Sequence, residues 1–170
     1  SFKFGECQLK YDGNKYDKTV LRILLPEPVA PGDTAFFYID FVSKLPSTIR
    51  RTGFTDDFFF VAQWFPKFGV YETKGMRSAE EDGWNCHQFH ANSEFYANHS
   101  VYQVKIKVPG EFIVGSGGQL IKEEINEEGY KILDYRAEDI VDFAWTAWPE
   151  YREYEDQWEH VKIRFLSPPG

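Results

Sequence analysis

The segment Val101-Tyr102-Gln103-Val104-Lys105-Ile106-Lys107-Val108 alternates apolar and polar side chains with a period of two. Successive side chains of an extended chain point to opposite faces. Tyr102, Val104, Ile106 and Val108 therefore fall on one side, and Gln103, Lys105 and Lys107 on the other. That is the pattern of a half-buried strand, and an amphipathic helix, with its period of 3.6, cannot produce it. Pro109-Gly110 ends the strand, because proline cannot donate to a ladder and glycine favours a turn.

The period recurs along the chain. His160 to Phe165 places Val161, Ile163 and Phe165 inward, and in Val20 to Leu25 the residues Leu21, Ile23 and Leu25 alternate with Val20, Arg22 and Leu24 before Pro26. Ala35 to Val42, rich in Phe and Tyr, is expected to be a more fully buried strand behind the turn Pro31-Gly32-Asp33. Phe58 to Phe65, Glu111 to Val114 and Tyr130 to Ala137 read as further strands, the last after the turn Glu127-Glu128-Gly129. Gly115-Ser116-Gly117-Gly118 reads as a tight hairpin-like turn with positive φ. Short strands separated by regular turn signals predict an all-β sandwich of mostly antiparallel strands with little helix. The helical signal is confined to a turn or two over Ala137 to Phe143, and Tyr151 to Trp158 reads as a loop. Glu72 to Asn98 reads as a long polar loop packed down by Trp84, Phe89, Phe95 and Tyr96.

A chain of 170 residues suits one domain over 1–170 with a sizeable core. Aromatics at 18% are too frequent for a disordered segment. A net charge of -8 disfavours a nucleic-acid partner, which needs a basic face to neutralise phosphates. No apolar run approaches the roughly 20 residues that span a bilayer as a helix, so no membrane partner is expected. Ser1 to Lys10 lacks the basic-then-apolar pattern of a signal peptide, and the compartment stays open. Cys7 and Cys86 can pair or both stay free.

Each candidate site competes with a plainer reading. His87, His90 and His99 near Cys86 invite a zinc ion, but structural zinc takes four Cys or His ligands, commonly as close pairs. No Cys-x-x-Cys and no His-Glu-x-x-His occurs, so no metal ligand and no cofactor is assigned within this chain. Ser116 lacks the Gly-x-Ser-x-Gly elbow, because Val114 holds the first position. Glu80-Glu81-Asp82 and the pair Asp139 and Asp142 read as solvated charges rather than acid–base machinery, and no catalytic residue is assigned. Asn98-His99-Ser100 fits the glycan acceptor pattern.

One ordered set of segments narrows the function. Ala62-Gln63-Trp64-Phe65-Pro66-Lys67-Phe68-Gly69-Val70-Tyr71 is followed by Gly83-Trp84, by Glu94-Phe95-Tyr96, by Tyr102 to Pro109 and by Phe112-Ile113-Val114-Gly115. Together they resemble the N-terminal domain of the aminopeptidase N/leukotriene hydrolase family of zinc peptidases, in its bacterial form. Ala137 to Trp145 resembles a second landmark of that domain, and the likeness runs from about Val20 to Phe165. The resemblance implies a saddle-like β-sandwich that packs on a catalytic domain of the same polypeptide, with zinc and the catalytic motifs in that next domain. It places a peptide substrate's free amine against a Gln-x-Glu or Gln-x-Gln pair. Gln63 matches the first position, while Phe65 stands at the second and suits a pocket wall. Trp64, Pro66, Phe143 and Trp145 are expected at the domain interface, within an exposed apolar patch spanning Phe58 to Phe68 and Phe143 to Trp148. The resemblance also implies truncation at both ends and an inactive fragment, and it leaves open an extracytoplasmic or secreted parent.

Two other readings remain open at this stage. A stand-alone interaction or ligand-binding sandwich shares only the fold. A carbohydrate-binding module uses Trp148, Tyr151 and Trp158, since aromatic faces stack on apolar ligand surfaces.

Overall fold

The structure is a computed structural model that describes residues 2–4, 7–8, 10–13, 19–48, 50–88, 90–92 and 95–170. Phe89 and Glu94, which the sequence reading used, lie outside the described residues, and so does the side chain of Cys7. In chain order the strands are β1 (Phe2–Phe4), β2 (Cys7–Gln8), β3 (Lys10–Gly13), β4 (Leu21–Leu24), β5 (Phe37–Ile39), β6 (Gly53–Thr55), β7 (Phe58–Val61) and β8 (Val70–Glu72). They continue with β9 (Gly83–Asn85), β10 (Ser100–Pro109), β11 (Ile113–Ser116), β12 (Gln119–Ile125), β13 (Tyr130–Ile140), β14 (Trp145–Trp148), β15 (Arg152–Trp158) and β16 (Val161–Ser167). The fold is all-β: there is no helix among the described residues, and every strand pairing is antiparallel. The chain divides into two compact units, residues 1–43 with 65–98 and residues 44–64 with 99–170.

The first unit is built of small sheets. The strand order β2-β1-β5 forms one, β3 pairs with β4, and β8 pairs with β9. Val70 is fully buried, and the Phe37 and Phe68 rings meet edge to face at 5.1 Å. The fully buried strand expected over Ala35 to Val42 is only three residues long, and Phe36, Tyr38, Phe41 and Val42 are exposed. An aromatic-rich run can be covered by either of its faces, and nothing in its composition says how much of it will be.

The second unit is a sandwich. One sheet has the order β10-β13-β12 and the other β11-β14-β7-β6. Ile106 and Val108 from β10, and Leu133, Tyr135 and Ala137 from β13, are buried together with Val61, Val114 and Ala147 from the other sheet. The Tyr135 hydroxyl donates to the Val114 carbonyl across the layers at 3.5 Å. The period-two alternation is realised along β10, where Gln103, Lys105 and Lys107 are exposed and Ile106 and Val108 buried. Lys105 and Lys107 find Asp134 and Glu128 on that wet side.

Four expectations need correction. Ala137 to Ile140 is the end of β13, not helix, and the register slips between Ser100 and Tyr102 opposite it, with Asp139 at φ 56°. Pairing to β10 overrides the local helical preference of Ala and Glu. Arg152 to Trp158 is a strand, not a loop, because Tyr154, Asp156 and Trp158 share a face whose period the single Asp156 disguises. It pairs with β16 through a turn at Glu159, φ 50°, and here Val161, Ile163 and Phe165 point outward, exposed, rather than inward. Finally, Gly115 and Ser116 belong to β11, and none of Gly115, Gly117 and Gly118 has positive φ. Gly115 and Gly118 serve close approach instead: a Cβ on Gly115 would lie 2.7 Å from Leu166, and one on Gly118 2.8 Å from Phe143.

Candidate functional site

β7 is held between β6 and β14, with Val61 opposite Trp145. As the chain leaves it, the Ala62 N–H donates to Thr52 Oγ1 at 3.4 Å, and that hydroxyl donates to the Phe60 carbonyl at 3.2 Å. Gln63 then turns left-handed at φ 53°, a region glycine and asparagine tolerate far better than glutamine. Its N–H donates to Asp142 Oδ2 at 3.3 Å. The Trp64 indole donates to the Phe143 carbonyl at 2.9 Å. Both partners lie 79 residues further along the chain, on the crossing from β13 to β14.

That crossing is itself well anchored. The Phe143 side chain is fully buried, its ring 6.4 Å from that of Tyr102 and 6.1 Å from that of Tyr135. The Tyr102 hydroxyl donates to the Val141 carbonyl at 3.1 Å, and the Gly117 N–H to the Ala144 carbonyl at 3.3 Å. Burial pushes the Tyr102 phenol above its usual range, and the Asp142 charge adds to this while Ser100 opposes it. Burial is also the main reason that Tyr135 is raised.

The expected site residues are thus distributed in a specific way. Gln63, Trp64, Phe143 and Trp145 come together in the second unit, whereas Phe65 and Pro66 belong to the first. Phe65 is half-buried with the Lys67 ammonium 5.3 Å from its ring centre, and Pro66 is exposed. The exposed patch expected around Phe143 is corrected by its burial: Phe143 is core, as is Ala147, and offers no surface to a partner. Phe68 alone of the large apolar residues in that patch is more than a third exposed. Trp145 lines a cleft of about 390 Å³ with Phe59, Phe112, Asp57, Lys107 and Glu111.

Sequence reasoning missed the role of Asp142, which it read as a solvated charge, and missed a buried carboxylate in the first unit. Glu72 on β8 is buried and accepts from Tyr96 Oη at 2.7 Å, Asn85 Nδ2 at 2.9 Å and Arg77 at 3.4 Å, with the Arg77 guanidinium also over the Tyr96 ring. Of the aromatic side chains expected to pack this segment down, Tyr96 does so through this network, whereas Trp84 and Phe95 are exposed. Neither contact has a sequence signal, because the partners lack a fixed spacing. Of the aromatic trio Trp148, Tyr151 and Trp158, the first two pack edge to face on each other and on Phe58, and Tyr151 shares a 2.7 Å hydrogen bond with Thr146. Only Trp158 stands well into solvent. His87, His90 and His99 are exposed, Cys86 is an exposed free thiol, and no group of three metal-ligating residues gathers among the described residues.

No family model, no curated protein and no solved structure matches this chain.

Proposed function

We propose that this chain is the non-catalytic β-sandwich part of a zinc aminopeptidase, packing on a catalytic domain of the same polypeptide and lining its substrate cleft through Gln63 and Phe65. The observation that carries this reading is the meeting of the most specific sequence landmark with the second one. The Gln63-Trp64 segment and the Asp142-Phe143 segment are far apart in the chain, yet they are joined by two hydrogen bonds. Segments that resemble one family independently, and then meet in space around a left-handed glutamine, have a common purpose under this reading. Left-handed non-glycine residues cluster at ligand-contacting sites, where the surroundings hold them in place. Zinc in the parent would supply an activated water for peptide hydrolysis. This chain's own part is to bind and orient: the Gln63 side-chain oxygen accepts from a substrate ammonium, and the Phe65 ring walls the pocket.

The test is the reading frame followed by kinetics. A His-Glu-x-x-His downstream of Gly170 is expected, and a stop codon there sinks the reading. In the encoded whole protein, Gln63→Ala is expected to raise KM for aminoacyl-anilides about tenfold, the loss of one charge-assisted hydrogen bond. An unchanged KM removes Gln63 from the substrate site.

A second reading, a sandwich that binds another protein or a glycan by itself, draws on the outward apolar face of β15 and β16, where Tyr154, Trp158 and Phe165 are all more than half exposed. Glycan-array binding lost in Trp158→Ala would favour it, and an empty array would remove its carbohydrate form.

A further inference from the structure

We infer that Asp142 is a positioning residue: its carboxylate holds the Gln63 backbone left-handed and so fixes how Gln63 is presented to a substrate amine. The substrate half of this statement rests on the aminopeptidase reading, while the positioning half rests on geometry alone.

A left-handed glutamine persists only where its surroundings over-determine it. Three successive residues are tied down here. Ala62 is held by Thr52, Gln63 by Asp142 at 3.3 Å, and the Trp64 indole by the Phe143 carbonyl at 2.9 Å. The last two ties end on adjacent residues whose own place is set by the fully buried Phe143 ring. Gln63 therefore inherits the rigidity of the sandwich core through Asp142, although it lies in a connection. A glycine at position 63 would adopt φ 53° without strain. The chain carries a glutamine instead, and the Asp142 tie therefore sets where its side chain leaves the backbone. A carboxylate also suits the task better than a neutral acceptor, because a hydrogen bond to a charged acceptor is about twice as strong.

The experiment compares Asp142→Ala, Asp142→Asn and Gln63→Ala in the whole protein that carries this chain, with aminoacyl-anilides as substrates. Asp142→Ala is expected to raise KM about tenfold while kcat stays within about twofold, since only the presentation of the amine-binding group changes. Asp142→Asn keeps an acceptor oxygen and is expected to recover most of the loss. The double variant Asp142→Ala/Gln63→Ala is expected to be no worse than Gln63→Ala, because both changes disable one contact. An unchanged KM in Asp142→Ala overturns the inference and leaves the aminopeptidase reading standing. Additive losses in the double variant overturn it as well, by showing that Asp142 acts elsewhere. A wild-type protein without turnover overturns the aminopeptidase reading itself. Should Asp142→Ala fail to fold, Asp142→Leu keeps the branched shape without an acceptor for the Gln63 N–H, and an unchanged KM there overturns the inference too.

Discussion

At the scale of single residues, burial separates the roles that sequence alone had merged. Phe143 and Trp145 look alike in the sequence, as aromatic residues of one landmark. Phe143 is fully buried between the Tyr102 and Tyr135 rings, with Gly118 leaving it room, whereas Trp145 lines a cleft. Phe143→Ala is expected to destabilise the second unit by about 3–5 kcal/mol, from lost apolar burial and the cavity left behind. Urea denaturation followed by tryptophan fluorescence checks this, and a loss below about 1 kcal/mol would mean that Phe143 is not core. Glu72 teaches the same lesson for polar groups. A buried carboxylate is tolerated because Tyr96, Asn85 and Arg77 satisfy it, and the sequence offered no way to choose those three from the other polar residues of the segment.

At the scale of elements, the β15–β16 hairpin has an unusual orientation. Its polar side faces its own unit: Arg164 bonds the Glu153 carboxylate and also donates to the Val114 carbonyl at 2.8 Å. Its apolar side, with the Tyr154 and Phe165 rings 6.3 Å apart and Trp158 opposite Val161, faces solvent. The hydrogen bond from Arg164 holds the Glu153 carboxyl below its usual 4.5, against a smaller opposing effect of burial. A native carboxyl that binds its proton less readily than the unfolded chain stabilises the fold above about pH 4.5. That contribution is lost as pH falls through the native value. With both side chains more than a third exposed, the pair is worth no more than about 1 kcal/mol. Glu153→Gln is therefore expected to lower the urea midpoint slightly at pH 7 and by less at pH 3. A difference that is equal at both values would show that charge is not the cause.

At the scale of the whole molecule, the charge balance and the missing zinc motif both bear on function. This chain as it stands is expected to release no product from aminoacyl-anilides, with zinc added or not, because the sequence lacks the His-Glu-x-x-His that would hold a metal and its activated water. Turnover that survives repurification would end the non-catalytic reading. Gln63 belongs to one compact unit and Phe65 to the other, a division that has no signature in a linear stretch of Gln-Trp-Phe-Pro.

The sequence by itself determined the all-β class and most of the strand positions. Period-two patterning is a local property, fixed by which side chains can be buried on one face of an extended chain, as along β10. It did not determine which way a strand's apolar side would turn. Val161, Ile163 and Phe165 have the same alternation as β10 and yet face solvent, because that choice depends on what lies across from each face. Only the tertiary structure turned Ala137 to Ile140 into the end of a strand by pairing it with β10. Only the tertiary structure, likewise, brought Asp142 to the Gln63 amide, since a hydrogen bond across 79 residues leaves no periodicity to read.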